Sequence, residues 1–204
     1  MRTVADEGGG WVTGFEFLFS LYGLLLGFSL VVVLGGMART FEAWIEPAAQ
    51  AGGEAAAPRG YLAPLLGLFV MLDLLSFWAA AWVVRDLMSV SGRTLMAVLL
   101  FSSSYYLAAH LVFPREAQSY RNLDSHYFHV RRLVIGILLG LLAVQIIFYA
   151  FEPGMRDWIT RPMSILFTAI LAVLMLALMV VRGVKANAAI LLLLLARYLW
   201  AYLR

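Results

Sequence analysis

Six long apolar runs follow one another along the chain, separated by short connections that carry most of the Arg, Asp, Glu and Pro residues. An apolar run of about 18 residues or more is long enough, as an α-helix, to cross the hydrocarbon core of a bilayer. The pattern predicts helices at Phe15–Met37, Tyr61–Val84, Thr94–Phe113, Arg131–Phe151, Pro162–Arg182 and Ala186–Leu203. Pro64 and Pro162 fall in the first turn of their helices, where a missing N–H costs nothing, and Pro114 and Pro153 close the third and fourth spans. Trp11, Trp44, Tyr61, Trp158 and Trp200 lie near span ends, the usual level of interfacial aromatics. The fold class expected is therefore all-α: a polytopic integral membrane protein with six transmembrane helices. The longest connection, Thr40 to Gly60, is too short for a second folded unit, so residues 1–204 read as one transmembrane domain.

Composition sharpens this picture. Apolar residues make up 63% of the chain and charged residues 13%, against roughly 25% charged in soluble domains. Cysteine is absent, which excludes disulfides, thiol chemistry and cysteine-ligated metal or iron–sulfur centres. The pI near 9.4 is no nucleic-acid signal, because the basic residues are scattered at helix ends, where they anchor to headgroups. The scarcity of lysine, with Lys185 alone, points to a bacterial source and an inner-membrane location. Residues Met1 to Gly10 lack the basic region and cleavage site of a signal peptide, so the first apolar run is expected to be retained.

Six spans put both termini on one side. One set of loops holds Arg39, Arg59, Arg115, Arg121, Arg131, Arg132, Arg182 and Lys185, and the opposite set holds Arg2, Arg85, Arg93, Arg156, Arg161 and Arg204. The positive-inside rule places the richer set in the cytoplasm and both termini outside.

The two halves of the chain, 15–113 and 131–203, echo each other. Tyr22-Gly-Leu-Leu-Leu-Gly-Phe-Ser-Leu-Val31 resembles Ile135-Gly-Ile-Leu-Leu-Gly-Leu-Leu-Ala-Val144. The second and fifth spans both end in Val-Val-Arg, at Val83–Arg85 and Val180–Arg182, and Tyr105 to Leu111 parallels Arg197 to Leu203. An ancestral three-helix unit would insert its two copies in opposite orientations, giving a three-plus-three inverted repeat of the kind transporters use. Chance similarity among Leu-rich helices is the competing explanation.

Candidate chemistry lies in the few polar groups within the spans. Asp73, near the middle of the second span, costs about 2.5–3.5 kcal/mol to place at a helix centre, so it is expected to face the bundle interior or a water-filled cavity. Ser76 is one turn away. Glu16, Ser20, Gly23 and Gly27 share one face of the first span, and Gly136 and Gly140 offer a matching small-residue pair on the fourth. These four glycines predict a close crossing of the first and fourth helices and a homo-oligomer assembled on glycine faces. In the third span Ser103, Tyr106 and His110 line one stripe, and histidine titrates near neutral pH. Arg197 either counter-charges Asp73 or Glu16, or snorkels to the membrane surface.

The segment 115–130, which leads into the fourth span, reads as interfacial. Asp124 is the expected N-cap of a helix that runs along the membrane surface before entering it. His126, His129 and Arg132 fall on one stripe, and with Arg121 and Arg131 they are expected to face anionic lipid headgroups. Asp124 with the two histidines is a weaker candidate for a metal site, since the chain has only three histidines. No glycine-rich phosphate loop, His-Glu-x-x-His or Gly-x-Ser-x-Gly is present, and no cofactor is expected.

The leading functional expectation is a channel or transporter for a small ion or solute, proton-linked through Asp73, with Glu16, His110, Tyr106 and Arg197 as its partners. A non-transporting interaction, sensor or accessory subunit comes second. An interfacial lipid enzyme comes third.

Overall fold

The computed structural model describes residues 14–45, 60–85, 91–115 and 122–203. Over these the chain forms seven helices: α1 (Gly14–Ile45), α2 (Leu62–Val83), α3 (Gly92–Val112), α4 (Leu123–Phe151), α5 (Pro153–Thr160), α6 (Pro162–Val180) and α7 (Val184–Leu203). All except the eight-residue α5 are long and apolar enough to cross a membrane, so the chain is an integral membrane protein with six candidate spans. Arg121, Arg2, Arg59, Arg204 and Trp11 lie outside the described residues.

The spans sit where the apolar runs put them, but several ends differ. α1 continues past Met37 to Ile45, and the buried Thr40 hydroxyl donates to Gly36 O at 2.9 Å. α4 starts at Leu123, so 123–130 and the fourth apolar run form one continuous helix. Its N-cap is Asn122, whose Oδ1 accepts from Ser125 N at 3.0 Å; the expected cap, Asp124, instead accepts from Leu62 N of α2 at 3.0 Å. At α3 the Ser91 hydroxyl accepts from Thr94 N at 3.1 Å, a side-chain N-cap. Pro153 and Pro162 occupy the first turns of α5 and α6, where proline starts a helix without loss of a hydrogen bond.

α2 is the central helix. Of its span 56% is buried, against 17–28% for the others. α1 packs most extensively on α3, α3 also meets α4, and α2 is enclosed by α1, α3, α4 and α7. Leu66, Phe69 and Val70 of α2, Ala108 and Val112 of α3, Leu138 of α4 and Leu191 and Leu194 of α7 fill the interior. The outer surface is a belt of exposed Leu, Ile, Val and Phe, including Leu100, Ile147, Val173 and Leu193, as lipid contact demands. The contacts between Leu62 and Asp124, His126 and Leu111, and Arg131 and Val181 gather the starts of α2, α4 and α7 with the ends of α3 and α6. α5 lies at the opposite end with the close of α4 and the start of α6.

One expectation about helix pairing is not met within the chain, and a second is not established. α1 and α4 are not packed together through their glycines: a Cβ at Gly27, Gly136 or Gly140 would meet nothing within 4 Å, and one at Gly23 only Trp78 Nε1 at 3.7 Å. The close approach is made by Gly36 of α1 and Gly67 of α2, against which the Phe113 ring lies. The two halves pack alike only in part. α1–α2 and α4–α6 meet to similar extents, as do α2–α3 and α6–α7, but α1 and α3 form the largest helix contact whereas α4 and α7 make none of comparable extent, so the packing does not establish the inverted repeat.

Candidate functional site

Asp73 lies at the middle of α2 with 2% of its surface exposed. Both of its oxygens accept hydrogen bonds from phenols on other helices. Tyr105 of α3 donates to Oδ2 at 2.7 Å, and Tyr198 of α7 donates to Oδ1 at 2.5 Å. A deprotonated carboxylate is an acceptor at both oxygens, and two O–H donors complement that chemistry in a region with no bulk water. Hydrogen bonds to a charged group contribute about 1.5–3 kcal/mol each, enough for the pair to offset the cost of placing Asp73 at a helix centre.

The phenols are themselves held by aromatic packing. Tyr105 stands between Phe77 and Phe101, with ring centroids at 5.4 and 5.8 Å, and Tyr198 rests beside Phe69 at 6.0 Å. Rings so confined keep their hydroxyls aimed at the carboxylate. Arg197, the neighbour of Tyr198 on α7, donates from Nε to Phe167 O of α6 at 3.1 Å and stacks over the Tyr198 ring at 5.0 Å. Neither Asp73 oxygen is bonded to Arg197, which acts on Asp73 through space.

Beside this group a recess of about 230 Å³ opens between α2, α4, α6 and α7. Arg197 and Tyr198 line it together with Ser76, Gln145, Tyr149, Ser164 and Thr168, and Ile159 of α5 borders it. Gln145 Nε2 donates to Tyr149 Oη at 3.1 Å across one turn of α4. Ser76 lies three residues beyond Asp73, so the recess ends within about one helical turn of the buried carboxylate.

Of the residues singled out by sequence, the structure brings Asp73 and Arg197 into one neighbourhood, with Ser76 at its edge. Glu16 is exposed in the first turn of α1 and does not line the recess. His110 Nε2 accepts from Arg115 at 2.9–3.1 Å, and Tyr106 stacks on the His110 ring at 5.8 Å on the outer side of α3. Tyr105 and Tyr198 were not among the sequence candidates. The signal that points to them is the requirement for two donors that any mid-span carboxylate imposes.

The stripe at the start of α4 divides. Arg132 is exposed and donates to Met179 O at 3.2 Å, and His129 bonds the Ser125 carbonyl at 2.8 Å on an exposed face. His126 is half-buried and bonds Leu111 O at 3.1 Å. Arg131 is a correction: it is 3% exposed and turned inward, away from any headgroup. Its Nη1 donates to Val181 O and, at 2.8 Å, to Asn187 Oδ1, and its guanidinium lies over Phe128 at 4.7 Å. Asn187 also accepts from Tyr127 Oη at 2.8 Å and donates to Val181 O and Gly183 O at 2.9 and 2.8 Å. This cluster supplies donors to carbonyls where α6 ends and α7 begins. Asp124, His126 and His129 are each directed to a different backbone partner and do not converge. No family model, curated protein or solved structure matches this chain.

Proposed function

We propose that the protein passes a small ion or solute across a membrane, with Asp73 as its central charged group. The observation that carries this reading is the pairing of a buried mid-span carboxylate with a recess, partly lined by polar side chains, that reaches to within a turn of it. Tyr198 belongs to both, since its hydroxyl binds Asp73 and its side chain lines the recess. Intramembrane ionisable groups beside a cavity mark ion and proton routes in membrane proteins. In this scheme Arg197 is the counter-charge, while Glu16 and His110 take no direct part. The membrane is a bacterial inner membrane, and the end bearing Arg115, Arg132, Arg182 and Lys185 faces the cytoplasm. The test is ion and proton flux in liposomes carrying wild-type protein or the Asp73→Asn variant, measured on both sides of neutral pH. Flux that is lost or loses its pH dependence in the variant supports the reading, and unchanged flux removes its core.

A second reading is favoured by one specific observation. Both Asp73 oxygens are occupied by tyrosines from two other helices, so the same group ties α2, α3 and α7 together. On that reading the chain is a membrane interaction or accessory subunit whose buried polar groups fix its assembly. Well-folded wild type without flux under any gradient, together with one stoichiometric partner after mild detergent extraction, would establish it.

A further inference from the structure

We infer that the recess between α2, α4, α6 and α7 is a binding site for a small monoanion, such as a short carboxylate or nitrate, held by Arg197. The inference rests on the transport reading and deepens it by naming the class of solute. Among the described residues that line the recess Arg197 is the sole charged group and none is a carboxylate. The other polar groups, Ser76, Gln145, Tyr149, Ser164 and Thr168, carry O–H or N–H donors suited to an anion.

Arg197 is set up as an anchor. The bond from Nε to Phe167 O and the stacking over Tyr198 hold its position, and a planar guanidinium carries five N–H donors, more than one carbonyl takes. Its fork matches the two oxygens of a carboxylate or nitrate. Asp73 acts on Arg197 through space only: both Asp73 oxygens are bonded to phenols, so no direct ion pair takes up the guanidinium's N–H donors. The recess, about 230 Å³, exceeds several times the roughly 30 Å³ of a liquid water, which is room for an ion of a few heavy atoms and its remaining waters.

The experiment is calorimetric titration of the purified full-length protein with sodium acetate and sodium nitrate, with sodium sulfate at equal ionic strength as the control. Saturable binding of the monoanions, weakened about tenfold or more in both Arg197→Gln and Ser164→Asp, is the expected result. Ser164→Asp leaves Arg197 and its contacts in place and brings a negative charge to the lining, so it keeps the test valid if Arg197→Gln does not fold. No saturable binding to wild type, or binding unchanged in the folded variants, overturns the site. The liposome measurement separates the two readings: flux without monoanion binding overturns the anion site and leaves transport standing. Binding without any flux keeps the site and removes its role in transport.

Discussion

Asp124 accepts a hydrogen bond from the backbone N–H of Leu62 at 3.0 Å, so a side chain in the first turn of α4 closes the N-terminus of α2. α2 has no side-chain cap from its own flanking residue, Tyr61. The chain reaches this contact through Gly60, which has a φ of 137°, and a Cβ there would meet Asp124 N at 2.6 Å. Asp124→Ala is expected to lower stability by about 1 kcal/mol, the usual value of a lost N-cap. Asp124→Asn, which keeps an acceptor oxygen, should cost less than half of that. Thermal unfolding in detergent compares them, and an equal loss in both variants would discard the capping account.

The glycines separate into two groups with opposite expected responses. At Gly36 an added methyl collides with the Phe113 ring, including its Cβ at 2.8 Å, so Gly36→Ala should destabilise by about 1–3 kcal/mol as overpacking does. At Gly140 nothing lies within 4 Å of the added atom, and Ala is the better helix former by about 1 kcal/mol, so Gly140→Ala should be neutral or stabilising. If the protein forms oligomers on its open glycine face, Gly140→Leu will dissociate them without unfolding the protomer. Sizing in detergent beside the unfolding curves reads both effects.

The spans were legible because bilayer thickness makes length and apolarity sufficient evidence. Their extensions were not, since Arg39, Glu42, Asp124 and His129 are helical yet read as loop by hydropathy. Asp73 stood out for the cost of its charge at a helix centre. Its partners did not, because a tyrosine inside an apolar run is hydropathically quiet and only the packing of α3 and α7 on α2 decides which phenols reach it. Arg131 misled for a related reason. A charge at the edge of an apolar run looks like a headgroup anchor, and nothing local announces that the Val181 carbonyl and the Asn187 side chain at a distant helix junction accept from it. Likewise all glycine pairs look alike in sequence, whereas Phe113, remote from both in the chain, determines that Gly36 and Gly67 are the close ones.

Asn187 is the hub of the buried cluster at the α6–α7 junction. It serves Arg131, Tyr127 and the carbonyls of Val181 and Gly183 at once. Asn187→Ala should cost more than Tyr127→Phe, because it leaves a buried hydroxyl and a charged guanidinium short of partners, while Val181 O keeps Arg131 and Gly183 O keeps the backbone N–H of residue 187. The expected losses are about 2–4 kcal/mol and about 1 kcal/mol. Arg131→Met combined with Asn187→Ala should cost less than the sum of the single changes, since the orphaned charge is gone. Strict additivity in this cycle would show that the residues do not act as one network.

Tyr105 and Tyr198 make equivalent bonds to Asp73 but face different surroundings, and that difference separates a structural carboxylate from a working one. Tyr105→Phe and Tyr198→Phe each leave one Asp73 oxygen without its donor, at an expected cost of about 1–3 kcal/mol. In the Asp73→Asn background both costs should shrink, because the buried group is then neutral. The flux assay distinguishes the two tyrosines. Tyr105 lies among Phe77 and Phe101 in the core, whereas Tyr198 lines the recess and is the sole phenol joining it directly to Asp73 through a hydrogen bond. If the recess and Asp73 act together in passing solute, Tyr198→Phe should lower flux well below that of Tyr105→Phe when the two are compared at matched stability. Equal flux in the two variants, with equal losses of stability, would reduce Asp73 to a tie between α2, α3 and α7.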